Sequence, residues 1–272
     1  MAFGLVVNGD SNSLLFSTET DNLVFVGKAT YSTVYTTAYT GEYQVYFGTT
    51  IYNRPWACLY EFTITLNSSV SAIMPFVWNP YGWRIGVINT YKVDSNTWRI
   101  LVASSTPSTG GSGNAPTIYV FARYYGSTLN YGNGINVFDS SGSVAFSTNT
   151  KPLLLKSIYS GSVGYSNLQA QSSGSMQYVG NSGSNTISSF SYAPIGGQKS
   201  ITKPAIFFPS NQTAVGYNNV YFIFEYLAKY NTSNGNLVAE WSNVNQTFGS
   251  LSSSQSSSNI VNAMVIDGAN YD

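Results

Sequence analysis

The sequence predicts an all-β protein with little or no helix, built from two tandem, divergently duplicated β-sandwich units. One observation is composition: 22 Tyr, 15 Phe and 5 Trp suit half-buried sheet surfaces, and 25 Gly suit turns. A second is periodicity, because apolar residues alternate with polar ones over short runs, as they do in strands. The third is an internal repeat, since one segment of the chain occurs twice.

The repeated segment spans residues 4–23, GLVVNGDSNSLLFSTETDNL, and residues 134–153, GINVFDSSGSVAFSTNTKPL. The copies align without a gap at an offset of 130 residues and share nine identities in twenty positions. Gly, Val, Phe and Leu match as well as Ser and Thr, so a Ser-rich composition alone does not explain the match. The offset predicts one unit at residues 1–130 and another at residues 131–272, with the boundary within residues 126–133.

Each copy of the segment predicts a β-hairpin. In the second copy, Val137 and Phe146 lie in runs that alternate apolar with small or polar residues, and residues 139–142, DSSG, form the turn between them. Asp bonds the backbone ahead of it and Gly tolerates positive φ. The first copy places NGDS, residues 8–11, at the same position. The duplication therefore predicts the same hairpin at the start of both units.

This hairpin resembles one found in small virion structural proteins of tailed bacteriophages. The shared pattern is Gly-aliphatic-x-Val, an Asp/Asn-Ser-Gly turn, and aliphatic-x-Phe-Ser-Ser/Thr, and the opening MAFGL is similar too. Those proteins are tail, tail-tip or fibre-associated components. The resemblance implies a non-enzymatic structural component of a virion, made in the host cytoplasm. It would associate with identical subunits and other virion proteins to form the tail or a tail-attached element.

Short apolar runs bounded by turn residues predict the strands of the first unit. They lie at residues 23–26, 59–66, 72–77, 83–91, 97–103 and 117–125. Residues 28–50 are rich in Tyr and Thr, which favour strands over helix. Residues 104–116, SSTPSTGGSGNAP, have no apolar residue larger than Ala or Pro and predict a hairpin tip.

The second unit is sparser in apolar residues. Residues 159–191 are rich in Gly, Ser and Asn, with thin strands predicted near residues 176–179 and 189–192. A Ser-rich strip at residues 249–259 precedes a C-terminal strand at residues 260–266.

Two sequence echoes extend the duplication beyond the hairpin. Residues 205–209, AIFFP, echo residues 72–76, AIMPF, and residues 220–226, VYFIFEY, echo residues 118–124, IYVFARY.

The charge content argues against several kinds of partner. Charged residues make up 8% of the chain, against roughly 25% in ordinary soluble domains, and 11 Lys and Arg balance 11 Asp and Glu. Since nucleic-acid binding depends on cations that neutralise phosphates, no nucleic-acid partner is predicted. The apolar runs are shorter than the ~20 residues of a membrane helix, so no membrane insertion is predicted either. No Sec-type export signal is expected from the first residues.

The residues that most often carry enzyme chemistry are scarce. The chain has no His and a single Cys, Cys58, which excludes Ser-His-Asp and Cys-His systems and the usual zinc sites. No Gly-rich nucleotide-binding pattern occurs. We therefore predict no catalytic residue, cofactor or metal. A carboxylate pair for glycoside hydrolysis is the remaining possibility, but no spacing brings two candidates together. The candidates are Glu42, Glu61, Asp94, Asp139, Glu225 and Glu240.

The aromatic stretch WNPYGWR, residues 78–84, is the candidate ligand-binding surface. Its predicted ligand-binding residues are Trp78, Tyr81, Trp83 and Arg84, because Trp and Tyr stack on sugar faces while Arg and Asn bond hydroxyls. This stretch supports an alternative function, a carbohydrate-binding receptor-recognition (adhesin) protein whose partner is a host surface glycan. The competing interpretation is that Trp78 and Trp83 fill the core at either end of a Pro-Gly turn.

Overall fold

The computed structural model describes most of the chain in separate segments. They are residues 6–8, 14–17, 23–35, 45–47, 50–52, 58–104, 115–123, 135–138, 144–164, 191–194, 201–209, 212–217, 220–231, 236–248 and 258–272. Most of the predicted hairpin tip, the predicted strand at residues 176–179 and most of the Ser-rich strip lie outside these ranges.

The described residues form 19 strands and a short 3-10 helix, Gly268–Tyr271, with no α-helix among them. The strands are β1 (Val6–Asn8), β2 (Leu14–Ser17), β3 (Leu23–Tyr35), β4 (Val45–Phe47), β5 (Thr50–Tyr52), β6 (Cys58–Thr65), β7 (Ile73–Trp78), β8 (Ile85–Lys92), β9 (Thr97–Ser104), β10 (Thr117–Arg123), β11 (Asn136–Phe138), β12 (Val144–Ser147), β13 (Leu155–Gly164), β14 (Ser191–Pro194), β15 (Pro204–Phe207), β16 (Gln212–Tyr217), β17 (Val220–Asn231), β18 (Asn236–Phe248) and β19 (Ser258–Asp267). The all-β prediction is confirmed. No helix in this part of the chain is long and apolar enough to cross a membrane.

Thirteen of the strands form one curled antiparallel sheet. Its order is β14-β13-β19-β15-β7-β10-β3-β6-β9-β8-β17-β16, and β18 pairs with β17 beside this path. The pairs β1–β2, β4–β5 and β11–β12 are separate two-stranded sheets.

Strands from both halves of the chain pair within this one sheet. Val77 of β7 lies opposite Ile206 of β15, and Ile85 of β8 lies opposite Ala228 of β17. Two tandem sandwich units are therefore not confirmed. The expected boundary within residues 126–133 falls outside the described residues, so the division into residues 1–130 and 131–272 stays a prediction.

The β7–β15 pair is one place in the sheet where strands of the first half of the chain meet strands of the second half. Outward from this pair, β7, β10 and β3 come from the first half of the chain, and β15, β19 and β13 occupy the matching places from the second half. Strands β7 and β15 contain most of the two similar apolar runs at residues 72–76 and 205–209. The other pair, on β10 and β17, does not occupy matching places, because β17 adjoins β8 and β10 adjoins β7. Of the two echoes, only the one between β7 and β15 is matched by position in the sheet.

The two hairpins share one register. Val7 lies opposite Phe16 and Val137 opposite Phe146, and the register shifts after the Val in both, as in a β-bulge. The strands predicted for the two hairpins therefore pair, as β1–β2 and as β11–β12. The segments that leave the two hairpins also meet, because the N–H of Leu153 donates to the carbonyl of its own repeat counterpart, Leu23, at 2.8 Å.

The curled sheet closes around an apolar core. The core joins β6, β8 and β9 on one side with β7 and β10 on the other, through Tyr60, Phe62, Ile85, Val87, Ile100, Val102, Val77, Ile118 and Val120. Burying an apolar side chain of this size contributes about 1.5–3 kcal/mol, so these contacts hold the two parts of the curled sheet together.

Strand β3 connects the two parts of the curled sheet, because it pairs with strands of both. Its first half pairs with β10, and its second half pairs with β6 from Thr30 onward. Gly27 adopts a φ of 143°, a conformation that favours glycine, and the register with β10 shifts beside it, between Val120 and Phe121. Bulges of this kind bend a strand, which accounts for the change of direction.

Residues 267–272 pack back onto β3 and β10. The carboxylate of Asp267 accepts a hydrogen bond from Ala269 N and so caps the 3-10 helix. The buried ring of Tyr271 makes an edge contact with Phe121, with centroids 4.9 Å apart. Its hydroxyl donates to the carbonyl of Pro152 and accepts from the N–H of Leu154. Burial raises the pKa of Tyr271 to about 12, so the hydroxyl stays protonated and keeps both bonds.

The side chain of Asp272 ties this segment to both halves of the chain. It forms ion pairs with Lys28 at 2.6 Å and with Lys203, and it accepts a hydrogen bond from the hydroxyl of Tyr119 at 3.0 Å. Lys203, Lys28 and then Tyr119 hold the pKa of Asp272 well below its usual range.

We expect Asp272→Asn to remove a pH-dependent part of the stability. The folded-state pKa of Asp272 lies below its unfolded value of about 3.9, so its charge stabilises the fold above that value, and the contribution is lost as the pH falls below it. The carboxylate is 32% exposed and screened by solvent, so the contribution is about 1 kcal/mol or less. Urea unfolding of both proteins at neutral and acidic pH measures it. A difference in stability that does not shrink at acidic pH contradicts this assignment.

Candidate functional site

A rigid turn joins β7 to β8 at the sequence-predicted ligand surface. The side-chain oxygen of Asn79 accepts from the N–H of Tyr81 at 3.0 Å, and its amide nitrogen donates to the carbonyl of Trp83 at 3.3 Å. Gly82 has a φ of 71°, in the left-handed region where glycine is unstrained. The residue types Asn, Pro and Gly therefore fix the backbone that carries the aromatic side chains.

The aromatic side chains on this turn stack against each other. The rings of Tyr81 and Trp83 lie with centroids 5.0 Å apart and planes 26° apart. Tyr81 is 45% exposed, so this pair stands on the surface rather than inside the core. Stacking of this kind holds the Trp83 ring in one orientation.

A cavity of about 280 Å³ lies against the inner side of the turn. It is lined by Val77, Trp78, Asn79, Pro80, Gly82, Trp83 and Ile85 from the first half of the chain and by Thr202, Pro204, Ile206 and Tyr230 from the second half. The pairing of β7 with β15 brings these two sets together. Both halves of the chain therefore contribute to the cavity.

The four residues predicted from sequence have different places around this cavity. Trp78 and Trp83 both line it, and both are partly exposed rather than fully buried in the core. Tyr81 does not line the cavity, and its ring stacks on the ring of Trp83. Arg84 is also outside the lining, and burial lowers the pKa of its guanidinium, although arginine stays charged in proteins. The structure therefore places Trp78 and Trp83 in the cavity lining, Tyr81 against Trp83, and Arg84 outside the lining. Ligand binding by these residues stays a prediction.

The positive charge nearest Trp78 already has a partner. The ammonium of Lys203 lies 4.9 Å from the centroid of the Trp78 ring, a cation–π arrangement, and it forms an ion pair with Asp272.

Sequence reasoning missed the lining residues from the second half. Thr202, Pro204, Ile206 and Tyr230 lie more than a hundred residues from the turn along the chain. The only signal that could have pointed to them is the echo between residues 72–76 and 205–209, which marks two similar strands without showing that they pair.

The carboxylates that the structure describes have structural partners. Glu61 is 5% exposed and pairs with Arg99, with Nε and Oε1 3.3 Å apart, while the hydroxyl of Ser32 donates to it. Asp94 accepts hydrogen bonds from two turn N–H groups, which lower its pKa. Glu42 and Asp139 lie outside the described residues, and Glu225 and Glu240 lie in β17 and β18. In the described part of the chain, no three Cys, Asp or Glu side chains cluster closely enough to hold a metal ion.

Comparison with known proteins finds no match to this chain. No family model matches it, and neither a curated protein nor a solved structure does.

Proposed function

We propose that the protein is a non-enzymatic structural component of a tailed-phage virion, which self-associates into the tail or a tail-attached element. The duplicated hairpin supports this proposal, because its sequence resembles the hairpin of virion structural proteins and both copies share one bulged register. A net charge of zero also supports it, since identical subunits then meet without net repulsion.

The observation that carries the proposal is the edge of β18 that faces away from β17, which no described strand covers. This strand is 13 residues long, and among the described residues it pairs only with β17. In the first half of the chain, β9 lies beside β8 as β18 lies beside β17, and β9 has β6 on its other side. A long unpaired edge is a template for a strand from another chain. A strand of a neighbouring subunit would complete β18 as β6 completes β9.

Light scattering at several concentrations tests this proposal directly. We expect a mass that is a closed multiple of the 29.4 kDa chain, or growth into larger tubes. A monomer at every concentration would overturn self-association.

A double variant and a matched control then test the β18 edge. Asn243→Lys combined with Gln246→Lys places cations along β18, where they repel the same cations of a second copy, so we expect the assembly to dissociate. The control is Ser95→Lys, in an exposed turn between β8 and β9. If the assembly survives the β18 substitutions, the subunits associate through another surface.

A further inference from the structure

We propose that the cavity beside the Asn79 turn binds one neutral pyranose ring, such as the terminal sugar of a glycan. This binding site goes beyond self-assembly and does not depend on it. Its walls come from both halves of the chain, so the site exists only in the fully folded protein.

Aromatic walls give the cavity its affinity for a sugar ring. Trp78, Trp83 and Tyr230 all line it. One face of a pyranose carries mainly C–H groups and packs on aromatic rings, while its rim carries hydroxyls. Asn79 and Thr202 provide amide and hydroxyl groups at the same cavity. Apolar walls with a few polar groups are the usual composition of a small-ligand site.

The size of the cavity limits the ligand to one ring. Its volume of about 280 Å³ lies below the roughly 300–1,000 Å³ of sites that enclose drug-sized molecules. A single sugar ring fits, whereas a disaccharide would place its second ring outside.

The site is ordered before a ligand arrives. The amide oxygen and the amide nitrogen of Asn79 are both hydrogen-bonded to the backbone of the turn, and Tyr81 holds the Trp83 ring by stacking. A preformed wall avoids the entropy cost of ordering on binding. Tyr81 is therefore a positioning residue, which acts through Trp83 without lining the cavity.

The charges around the cavity favour a neutral sugar. None of the lining residues is charged. The cation beside Trp78, Lys203, is already paired with Asp272. An acidic sugar would lose hydration on entering a cavity whose lining carries no cation, which disfavours it.

Titration of the full chain with methyl pyranosides, followed by NMR and calorimetry, tests the proposal. We expect at least one neutral methyl hexopyranoside to bind with a Kd of about 1 mM, typical of so small a ligand. Methyl glucuronoside and a proline-rich peptide are the comparison probes, and neither should bind. Trp83→Ala and Tyr230→Ala should each weaken binding at least tenfold, and the exposed control Val93→Ala should leave it unchanged.

Further variants separate contact from positioning. Tyr81→Ala should weaken binding about threefold, and Tyr81→Phe should restore it, because Phe stacks on Trp83 as Tyr does. If Trp83→Ala fails to fold, Tyr230→Ala and Thr202→Val decide instead. The proposal is overturned if no neutral pyranoside binds, if only the acidic sugar or the peptide binds, or if binding survives the changes in the cavity wall. Because these readouts do not depend on oligomer mass, failure here is distinct from failure of self-association.

Discussion

Phe121→Ala is expected to lower the free energy of unfolding by about 3–5 kcal/mol, the usual cost of removing a buried aromatic ring. Phe121 is fully buried. Its ring centroid lies 5.4 Å from Phe76, 5.7 Å from Phe25 and 4.9 Å from Tyr271. Truncation leaves a cavity among rings that are held by three separate parts of the chain, so the site cannot collapse easily. Urea unfolding measures the loss as a fall in the midpoint at constant slope.

Two further variants serve as comparisons for Phe121→Ala. Phe121→Leu keeps much of the volume and should cost about 1.5 kcal/mol or less. Val93→Ala removes a side chain that is 46% exposed, so the stability should change by less than about 0.5 kcal/mol. If Phe121→Ala costs no more than the Val93 control, the packing of residues 267–272 against β3 and β10 is wrong.

Gly268→Ala is expected to give the next largest loss in the free energy of unfolding after Phe121→Ala, although it adds a single carbon. A Cβ at this position would lie 2.6 Å from Cε2 and 2.7 Å from Cζ of Tyr119. Real Cβ atoms essentially never approach so closely, and Tyr119 is fully buried, so packed neighbours restrict its movement. Either the ring or the 3-10 helix must shift, at a cost of about 1–3 kcal/mol. Thermal unfolding followed by circular dichroism measures this loss.

A double-mutant cycle isolates the clash between Gly268 and Tyr119. Tyr119→Leu removes the ring atoms, so Gly268→Ala should cost markedly less in that background, and the double variant should lose less stability than the sum of the two single losses. The control is Ala269→Ser, at an exposed position in the same helix, which should be close to neutral. Equal costs of Gly268→Ala in both backgrounds would place the source of the strain elsewhere.

Local patterns predicted individual strands well. The run at residues 59–66 became β6 (Cys58–Thr65), the run at residues 97–103 became β9, and the C-terminal strand became β19. Strand formation here follows from alternation and turn residues, which are visible within a few positions. The hairpin was predictable twice for the same reason.

The pairing of strands could not be predicted in this way. Val77 lies opposite Ile206, and nothing near either residue specifies a partner 129 positions away (206 − 77). The candidate site shares this limit: the turn was evident from Asn, Pro and Gly, whereas Tyr230 depends on the long-range fold. The polar-looking end GANYD gave no hint that Tyr271 is buried, because its aromatic neighbours, Phe25 and Phe121, come from distant strands.

The position of β19 has a consequence for how the protein is made. This strand lies between β13 and β15, third in the order of the sheet, and residues 267–272 close over β3 and β10. A nascent chain therefore exposes the edges of β13 and β15 until β19 has been synthesised. Folding during translation cannot finish domain by domain, and the last step joins segments that are far apart in sequence, which makes it slow. Expression at lower temperature or with chaperones should therefore raise the soluble yield more than it does for a chain whose domains fold one after another.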